Sequence, residues 1–272
     1  MTGCLLRINR TCNQDCLFCH IEKRKTYLNL KSFKLKIDFL KNLKIDSVYL
    51  SGGEPSIHPH IKEIIGYIKE KEMNFSISTN GSSNAEFIID NNPSHFFLSF
   101  YSIDKKTDEI ISHSDNYESR IKTVLYAKDK NFNKMANIII NRINQDNIYD
   151  TVNFLRKNNF KIKVTFPIFH EEYIKNFKKL YLDSKNLRKI LDTIKPEYQE
   201  DIPACIYDAE SLGLNEINTI YIFDEGDVPK IMWLDENRTK KKAVFCGDCN
   251  KCSGFRYINL KYVNALYKRN LF

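Results

Sequence analysis

Thr11-Cys-Asn-Gln-Asp-Cys-Leu-Phe-Cys-His20 follows an apolar run at 5–8 that predicts the first strand of the chain. The segment contains three cysteines at the spacing C-x3-C-x2-C, namely Cys12, Cys16 and Cys19. A loop this short can direct three thiolates at one point, and soft thiolate ligands select zinc or an iron–sulfur cluster. A structural zinc site needs four ligands, and His20 is too close to Cys19 to reach the same ion easily. Three cysteines on a four-iron cluster would leave one iron open to an exchangeable ligand.

Apolar runs and helical periodicities alternate along the following part of the chain. Further strands are predicted at 46–50, 75–78, 95–101, 134–140 and 161–166, and helices at 30–43, 61–71, 85–91, 121–130 and 148–158. Strands that alternate with helices form parallel βαβ units with right-handed crossovers. We therefore predict an α/β fold, a partial TIM-like barrel of six βα units, with its site at the carboxyl ends of the strands.

Polar and glycine residues follow the predicted strands at that end. Glycines in the segment Gly52-Gly53-Glu54-Pro55 let the backbone approach a ligand closely, and Glu54 can accept hydrogen bonds from an ammonium group. Comparable positions at the ends of later strands are Ser78, Asn80, Ser99, Asn141 and Arg142. Each of these segments is also compatible with a plain turn. Four histidines in predicted loops are expected to be solvated rather than ligands: His58, His60, His113 and His170.

The cysteine spacing, the aromatic Phe18 before the last cysteine and the Gly-Gly-Glu-Pro segment together resemble the signature of radical S-adenosylmethionine (radical SAM) enzymes. In that family three cysteines hold a [4Fe–4S] cluster, and SAM chelates the fourth iron. The resemblance implies that Cys12, Cys16 and Cys19 hold this cluster. It also implies a set of SAM-binding residues: Phe18, Gly52, Gly53, Glu54, Ser78, Asn80, Ser99, Asn141 and Arg142.

The alternation of strands and helices stops near Lys195-Pro196, which predicts a boundary between domains 1–195 and 196–272. Beyond it, β-rich runs at 219–223 and 229–234 predict a hairpin, and a helix is predicted at 260–269. Four cysteines flank the hairpin, and their C-x2-C spacings fit zinc as well as iron–sulfur. This order resembles the shortened SPASM or Twitch domain, which implies an auxiliary [4Fe–4S] cluster held by Cys205, Cys246, Cys249 and Cys252. If Cys205 is only a core residue, three ligands remain and that cluster could bind substrate.

The bulk properties set wider limits. The net charge of +8 is a weak argument for nucleic acid, because lysine-rich helices produce such a balance without a partner. No apolar run reaches the length of a membrane span, and the N-terminus lacks a signal peptide. Cysteines grouped at metal-ligand spacings favour a reducing compartment over disulfides, and Cys4 is predicted to be a buried core residue. We therefore expect a cytoplasmic protein that binds neither membrane nor nucleic acid.

The resemblance implies an enzyme that takes an electron from a donor such as flavodoxin or ferredoxin and cleaves SAM to a 5′-deoxyadenosyl radical. This radical abstracts hydrogen from the substrate. The main prediction for the substrate is a ribosomally synthesised peptide that undergoes oxidative modification or crosslinking, because Tyr101 and the SPASM/Twitch-like cysteines resemble features of peptide maturases. Since the chain begins at the first strand, a leader-peptide-binding domain is expected on a separate protein.

Two alternatives remain open at this point. The first is oxidation or cyclisation of a small metabolite, such as a sugar, nucleotide or cofactor precursor. The segment Cys16-Leu-Phe-Cys-His20 is also similar to molybdenum-cofactor cyclases, although the C-terminal cysteine spacing departs from theirs. The second is a non-catalytic iron–sulfur or zinc module, against which the joint presence of the cysteine triad and Gly-Gly-Glu-Pro argues.

Overall fold

The computed structural model describes residues 3–19, 21, 23–165, 167, 176, 179, 180, 182, 184–200, 220–223 and 230–232. Within these residues one sheet has nine strands in the order β7-β6-β5-β4-β3-β2-β1-β8-β9. The strands are β1 Gly3–Asn9, β2 Ser47–Gly52, β3 Asn74–Thr79, β4 His95–Ser99, β5 Asn133–Ile139, β6 Lys161–Thr165, β7 Tyr198–Glu200, β8 Ile220–Phe223 and β9 Lys230–Met232. Neighbouring strands from β7 through β1 to β8 are parallel, and β9 is antiparallel to β8.

The helices lie between successive strands, as a parallel sheet requires. They are α1 Leu30–Asn42, α2 Ile61–Glu70, α3 Ala85–Asp90, α4 Lys105–Ser112, α5 Tyr117–Ala127, α6 Ile148–Lys157 and α7 Ser184–Ile194, and short 3₁₀ turns occur at Pro55–Ile57 and Gln145–Asn147. In the described part of the chain, none of these helices is both long and apolar enough to cross a membrane.

The two faces of the sheet differ in what covers them. Alternate strand residues such as Leu6, Val48 and Phe96 are fully buried and share one core cluster with apolar residues of the helices. The residues between them, such as Tyr49 and Phe97, are only half-buried and belong to the opposite, inner face. Because successive strand residues point to opposite faces, each strand contributes to both the helix-packed core and the inner face. Cys4 lies in the core with 0% exposure, which confirms its prediction.

The six predicted strands and the α/β partial-barrel architecture are confirmed. Helix α4 is not predicted by the sequence, because its buried face is largely polar: Thr107, Asp108, Ile111 and Ser112. Its start is fixed by Asp104, whose carboxylate accepts a hydrogen bond from the Thr107 backbone N–H. Helix α5 spans Tyr117–Ala127, earlier in the chain than the predicted 121–130.

The strands β7, β8 and β9 lie in the region that the sequence assigns to a C-terminal domain. The antiparallel pairing of β8 with β9 confirms the predicted hairpin. The hairpin joins the main sheet, because β8 pairs in parallel with β1, and β7 extends the other edge beside β6. Cys205, Cys246, Cys249 and Cys252, and the helix at 260–269, lie outside the described residues.

Candidate cofactor site

The loop that carries Cys12, Cys16 and Cys19 begins two residues after β1, at the carboxyl end of the strands. All three thiols are free and half-buried. The end of α4 holds the loop in place, since the backbone N–H groups of Asp15 and Leu17 donate to the carbonyls of Ser112 and Ile111, each at 3.0 Å. The loop is thus attached to the sheet at one end and to a helix terminus in its middle.

Burial makes the thiols of Cys12 and Cys16 weaker acids. It raises the pKa of Cys12 to about 11 and the pKa of Cys16 to about 12, and the neighbouring cysteines add to both shifts. Such thiols stay protonated at neutral pH unless a cation replaces the protons, so metal binding would release protons here. In the described ranges no three His, Cys, Asp or Glu side chains form a ready metal-ligand group. The structure places the three thiols on one short loop without gathering them into a ligand set. Their donor chemistry, three soft sulfur ligands, fits an iron–sulfur cluster.

Gly52 and Gly53 allow the loop after β2 to pack against the chain that leads into the cysteines. The backbone N–H groups of Gly53 and Glu54 donate to the carbonyls of Asn9 and Thr11, each at 2.9 Å. A Cβ on Gly53 would lie 2.3 Å from the Thr11 carbonyl oxygen, and one on Gly52 would lie 2.5 Å from that of Asn9. Backbone contact at this distance excludes any side chain. The structure shows these glycines packing against the chain itself, and their contact with SAM remains a prediction.

The Glu54 carboxylate is buried and binds donors of the chain itself. Its Oε1 accepts hydrogen bonds from the Thr79 hydroxyl at 2.6 Å and the Ser56 N–H at 2.9 Å, and its Oε2 accepts from the Asn80 N–H at 2.6 Å. Burial raises the pKa of Glu54, and these three donors oppose that shift. The carboxylate joins the ends of β2 and β3, and its expected contact with the ammonium group of SAM remains a prediction.

Asn80 connects the end of β3 to the cysteine loop. Its Nδ2 donates to Asn13 Oδ1 at 3.0 Å, and Asn13 Nδ2 in turn donates to Ser82 Oγ at 2.8 Å. The next residue, Gly81, has a positive φ of 73°, and an added Cβ would lie 2.8 Å from Leu98. The turn therefore requires glycine there, and it places the Asn80 amide against the loop between Cys12 and Cys16.

The remaining predicted SAM contacts lie at different depths. Ser78 and Ser99 are half-buried at the ends of β3 and β4, on the inner face. Asn141 is fully buried, and its side chain bonds within its own turn, to the Ile139 carbonyl and the Ile143 N–H, both at 2.9 Å. Arg142 has an exposed side chain. In the part of the chain that the structure describes, no hydrogen bond joins any of these four residues to the cysteine loop.

Tyr101, Arg120 and Asp108 form a buried group behind the cysteine loop that the sequence does not predict as a unit. The Tyr101 hydroxyl lies 3.2 Å from Cys16 Sγ, and its ring meets Phe18 edge-on with centroids 5.5 Å apart. The Arg120 guanidinium lies over the Tyr101 ring, with Cζ 4.6 Å from the ring centroid, and donates to Asp108 Oδ1 at 2.6 Å. A charged residue on the buried side of α5, beside Thr123, Val124 and Ala127, is the signal in the sequence that could have indicated this pair.

The inner face carries an aromatic and cationic group at the centre of the sheet. Phe97 stacks on His95 with ring centroids 5.9 Å apart at an interplanar angle of 12°, and its ring centroid lies 5.4 Å from that of Tyr49. Lys163 Nζ lies 5.4 Å from the Phe97 ring centroid, and Arg7 occupies the same face on β1, paired with Ser51 of β2. This combination suits a ligand with a flat ring and negative charge.

His58 corrects one expectation from the sequence. It is buried with 1% exposure, its Nε2 bonds to the Leu28 carbonyl at 3.0 Å, and its Nδ1 accepts from the His60 N–H at 3.1 Å. The prediction of a solvated side chain is wrong for His58, because the 3₁₀ turn Pro55–Ile57 directs its side chain against the segment before α1, where it bonds to Leu28. His60 and His113 are exposed, and His170 lies outside the described residues.

Comparison with known proteins adds the following findings. The model of the Radical SAM superfamily matches residues 6–155, more than half of the chain. A protein of Pyrococcus abyssi named Probable GTP 3′,8-cyclase is 26% identical over 263 residues, which cover 92% of this chain and 80% of that protein.

Solved structures give a similar picture of the fold. The crystal structure of Streptococcus suis SuiB bound to S-adenosylmethionine matches with a TM-score of 0.64 at 16% identity, over 82% of this chain and 58% of that one. SuiB bound to its precursor peptide SuiA matches with a TM-score of 0.60 at 20% identity, over 71% of this chain and 45% of that one. The chain thus spans about half the length of these structures, and at such identities the likeness shows the fold alone.

Proposed function

Because this chain belongs to the radical SAM superfamily, we propose that it is an enzyme that acts on a small anionic metabolite with a flat ring, a purine nucleotide such as GTP first of all. The P. abyssi relative, named for a reaction of GTP and matched over 92% of this chain, supports the metabolite over the peptide. The peptide-bound SuiB structure is a weaker argument, since it shares only the fold.

The observation that carries this proposal is the placement of Lys163 against Phe97 on the inner face, 5.4 Å from Nζ to the ring centroid. An aromatic face stacks with a nucleobase, which contributes about 1–3 kcal/mol per base in single-stranded nucleic-acid complexes. A lysine beside it, with Arg7 across the sheet, adds positive charge for phosphate groups. A peptide backbone requires no such charge. The inner face therefore supports a nucleotide better than an uncharged peptide segment.

The division of roles among the residues follows from their positions. Cys12, Cys16 and Cys19 would hold a [4Fe–4S] cluster, which together with bound SAM supplies a carbon radical that removes a hydrogen atom from the substrate. Gly52, Gly53 and the Asn80 turn fix the cysteine loop above the ends of β2 and β3. The inner face orients the substrate below that loop, and the helix-packed outer face keeps the strands rigid.

Several expectations from the sequence remain part of this proposal. We propose that residues 196–272 form a C-terminal domain and that Cys205, Cys246, Cys249 and Cys252 hold a second cluster, with a zinc site as the alternative. We further propose a flavodoxin or ferredoxin as the electron donor. The full predicted set remains proposed to contact SAM: Phe18, Gly52, Gly53, Glu54, Ser78, Asn80, Ser99, Asn141 and Arg142.

The proposal is tested by measuring 5′-deoxyadenosine formation by anaerobically reconstituted protein with SAM and reductant. GTP, other nucleotides and a peptide-sized extract fraction are added separately. Stimulation by a nucleotide supports the proposal. Stimulation by the peptide-sized, protease-sensitive fraction alone would contradict it and restore the peptide as substrate.

A further inference from the structure

The side chains of Cys16, Tyr101 and Gln14 form a triangle of polar contacts. Cys16 Sγ lies 3.2 Å from the Tyr101 hydroxyl oxygen and 3.4 Å from Gln14 Oε1, and the Tyr101 hydroxyl lies 3.0 Å from the same Gln14 oxygen. Tyr101 and Gln14 are each 4% exposed. This triangle is therefore shielded from water, which strengthens its electrostatic interactions.

The position of the Tyr101 hydroxyl is fixed from several sides. The Arg120 guanidinium packs on the ring at 4.6 Å, and Phe18 meets the ring edge. The Tyr101 backbone carbonyl accepts from Asn144 Nδ2 at 3.0 Å. Arg120 is itself fully buried and held by Asp108 at 2.6 Å. With its ring enclosed in this way, Tyr101 keeps its hydroxyl at the Cys16 sulfur.

The donors and acceptors of the triangle depend on whether Cys16 is a thiol or a ligand. As a thiol, Cys16 can donate to Gln14 Oε1, as the structure shows. As a thiolate ligand it can only accept, so the single hydroxyl hydrogen of Tyr101 has to serve the sulfur. Gln14 Nε2 is buried and has no hydrogen-bond partner among the described residues. Turning the Gln14 amide over brings that N–H group to the Tyr101 oxygen.

We propose that Tyr101 is a positioning residue that donates a hydrogen bond to the Cys16 sulfur of the loaded cluster and thereby raises the reduction potential of the cluster. Gln14 supplies the second hydrogen bond of the group, which its Nε2 donates to the Tyr101 oxygen. Reduction adds negative charge to a cluster and its sulfur ligands, and a hydrogen bond to a ligand sulfur stabilises the reduced state. The inference rests on the proposed cluster assignment of Cys12, Cys16 and Cys19.

The test is a potentiometric titration of the anaerobically reconstituted full chain, followed by electron paramagnetic resonance. Tyr101→Phe is compared with Tyr67→Phe, a matched change at a hydroxyl that binds Asp38 in the helical layer at 2.9 Å. In Tyr101→Phe we expect unchanged iron and sulfide content. At a given potential the ratio of reduced to oxidised cluster should be approximately tenfold lower, which corresponds to a midpoint potential about 59 mV lower for a one-electron couple. Tyr67→Phe leaves the ratio unchanged.

A second variant separates an electrostatic effect from general damage to packing. Asp108→Asn removes the negative charge that neutralises Arg120, so the potential should move in the opposite direction, upward. Loosened packing would move both variants in the same direction and would overturn the inference. So would a fully loaded Tyr101→Phe protein with an unchanged potential, or one that folds but fails to take up the cluster. A wild-type chain that takes up no cluster would overturn the ligand assignment as well.

Discussion

The Oε2 atom of Glu54 accepts a hydrogen bond of 2.6 Å from the backbone N–H of Asn80, and this bond joins the ends of β2 and β3 beneath the cysteine loop. Thr79 and Ser56 donate to the other oxygen, so the carboxylate has three donors, and Glu54 is only 2% exposed. Glu54→Gln replaces one acceptor oxygen by an NH₂ group that faces a donor. We expect a loss of about 1–3 kcal/mol in the free energy of unfolding, measured by urea denaturation.

Glu63→Gln provides the control for this change, because Glu63 is half-exposed and bonds to His60 at the protein surface. Its effect should be small. Equal stability of Glu54→Gln and wild type would show that the carboxylate does not join these strand ends.

Gly53→Ala is expected to displace the chain that leads into Cys12. The added Cβ would lie 2.3 Å from the Thr11 carbonyl oxygen and 2.7 Å from that of Arg10, so backbone has to move. We expect a destabilisation of about 1–3 kcal/mol and a lower iron content after reconstitution.

The matched control is Gly66→Ala in α2, where an added Cβ meets nothing within 4 Å. Alanine in a helix interior is favoured over glycine by about 0.5–1 kcal/mol, so this variant should be more stable and fully loaded. Iron content that is normal in both variants would contradict the role of Gly53.

Lys163→Ala is expected to weaken the binding of a nucleoside triphosphate to the unreconstituted protein. A charge-assisted bond to phosphate is lost, so the dissociation constant should rise about tenfold or more. Equilibrium dialysis with radiolabelled GTP measures it without any turnover.

Lys157→Ala removes an exposed lysine at the end of α6 and controls for the change in net charge. If both variants lose affinity equally, general electrostatic attraction rather than the inner face accounts for the binding.

His58 predicts a pH dependence of stability. Its Nδ1 accepts from the His60 N–H, and burial lowers its pKa below the ordinary 6.5. The unfolded chain therefore binds the proton more readily, and stability should fall as the pH drops below about 6.5. The contribution is fully present above the pKa of the unfolded state and is lost as the pH falls through the folded value.

Urea titrations of wild type and His58→Gln across this range measure the effect. The variant should be less stable at neutral pH and should show a shallower decline in acid. Parallel curves for the two proteins would mean that His58 titrates alike in the folded and unfolded states.

The sequence predicts the sheet well, because strand residues such as Val48 and Leu98 belong to short apolar runs bounded by turn residues. It also predicts the parallel βαβ units and a site at the carboxyl ends of the strands, where the cysteine loop lies. The pairing of β8 with β1 was not predicted, because the hairpin was assigned to a separate domain. Helix α4 was not predictable in this way, as only Ile111 on its buried face is apolar. Helix prediction from periodicity depends on the spacing of apolar residues, so it misses a helix that packs through polar side chains.

Pair interactions across long sequence distances were also beyond prediction. Arg120 shares a helical face with Val124 and Ala127, but only the packing of α4 against α5 makes Asp108 its buried partner. Tyr101 was singled out for its position after β4, but its contact with Cys16, 85 residues earlier, depends on the tertiary fold. The donors that Glu54 binds at the end of β3 were not predictable either, because its local motif gives no sign of them.

The radical SAM assignment is tested most directly by the iron content and 5′-deoxyadenosine yield of anaerobically reconstituted Cys16→Ala, compared with Cys4→Ala, which changes a core cysteine on β1. We expect that Cys16→Ala forms no 5′-deoxyadenosine and loses the absorption of the SAM-binding cluster, whereas Cys4→Ala retains both. Persistent 5′-deoxyadenosine formation by Cys16→Ala would contradict the assignment of the cysteine loop as the radical SAM site.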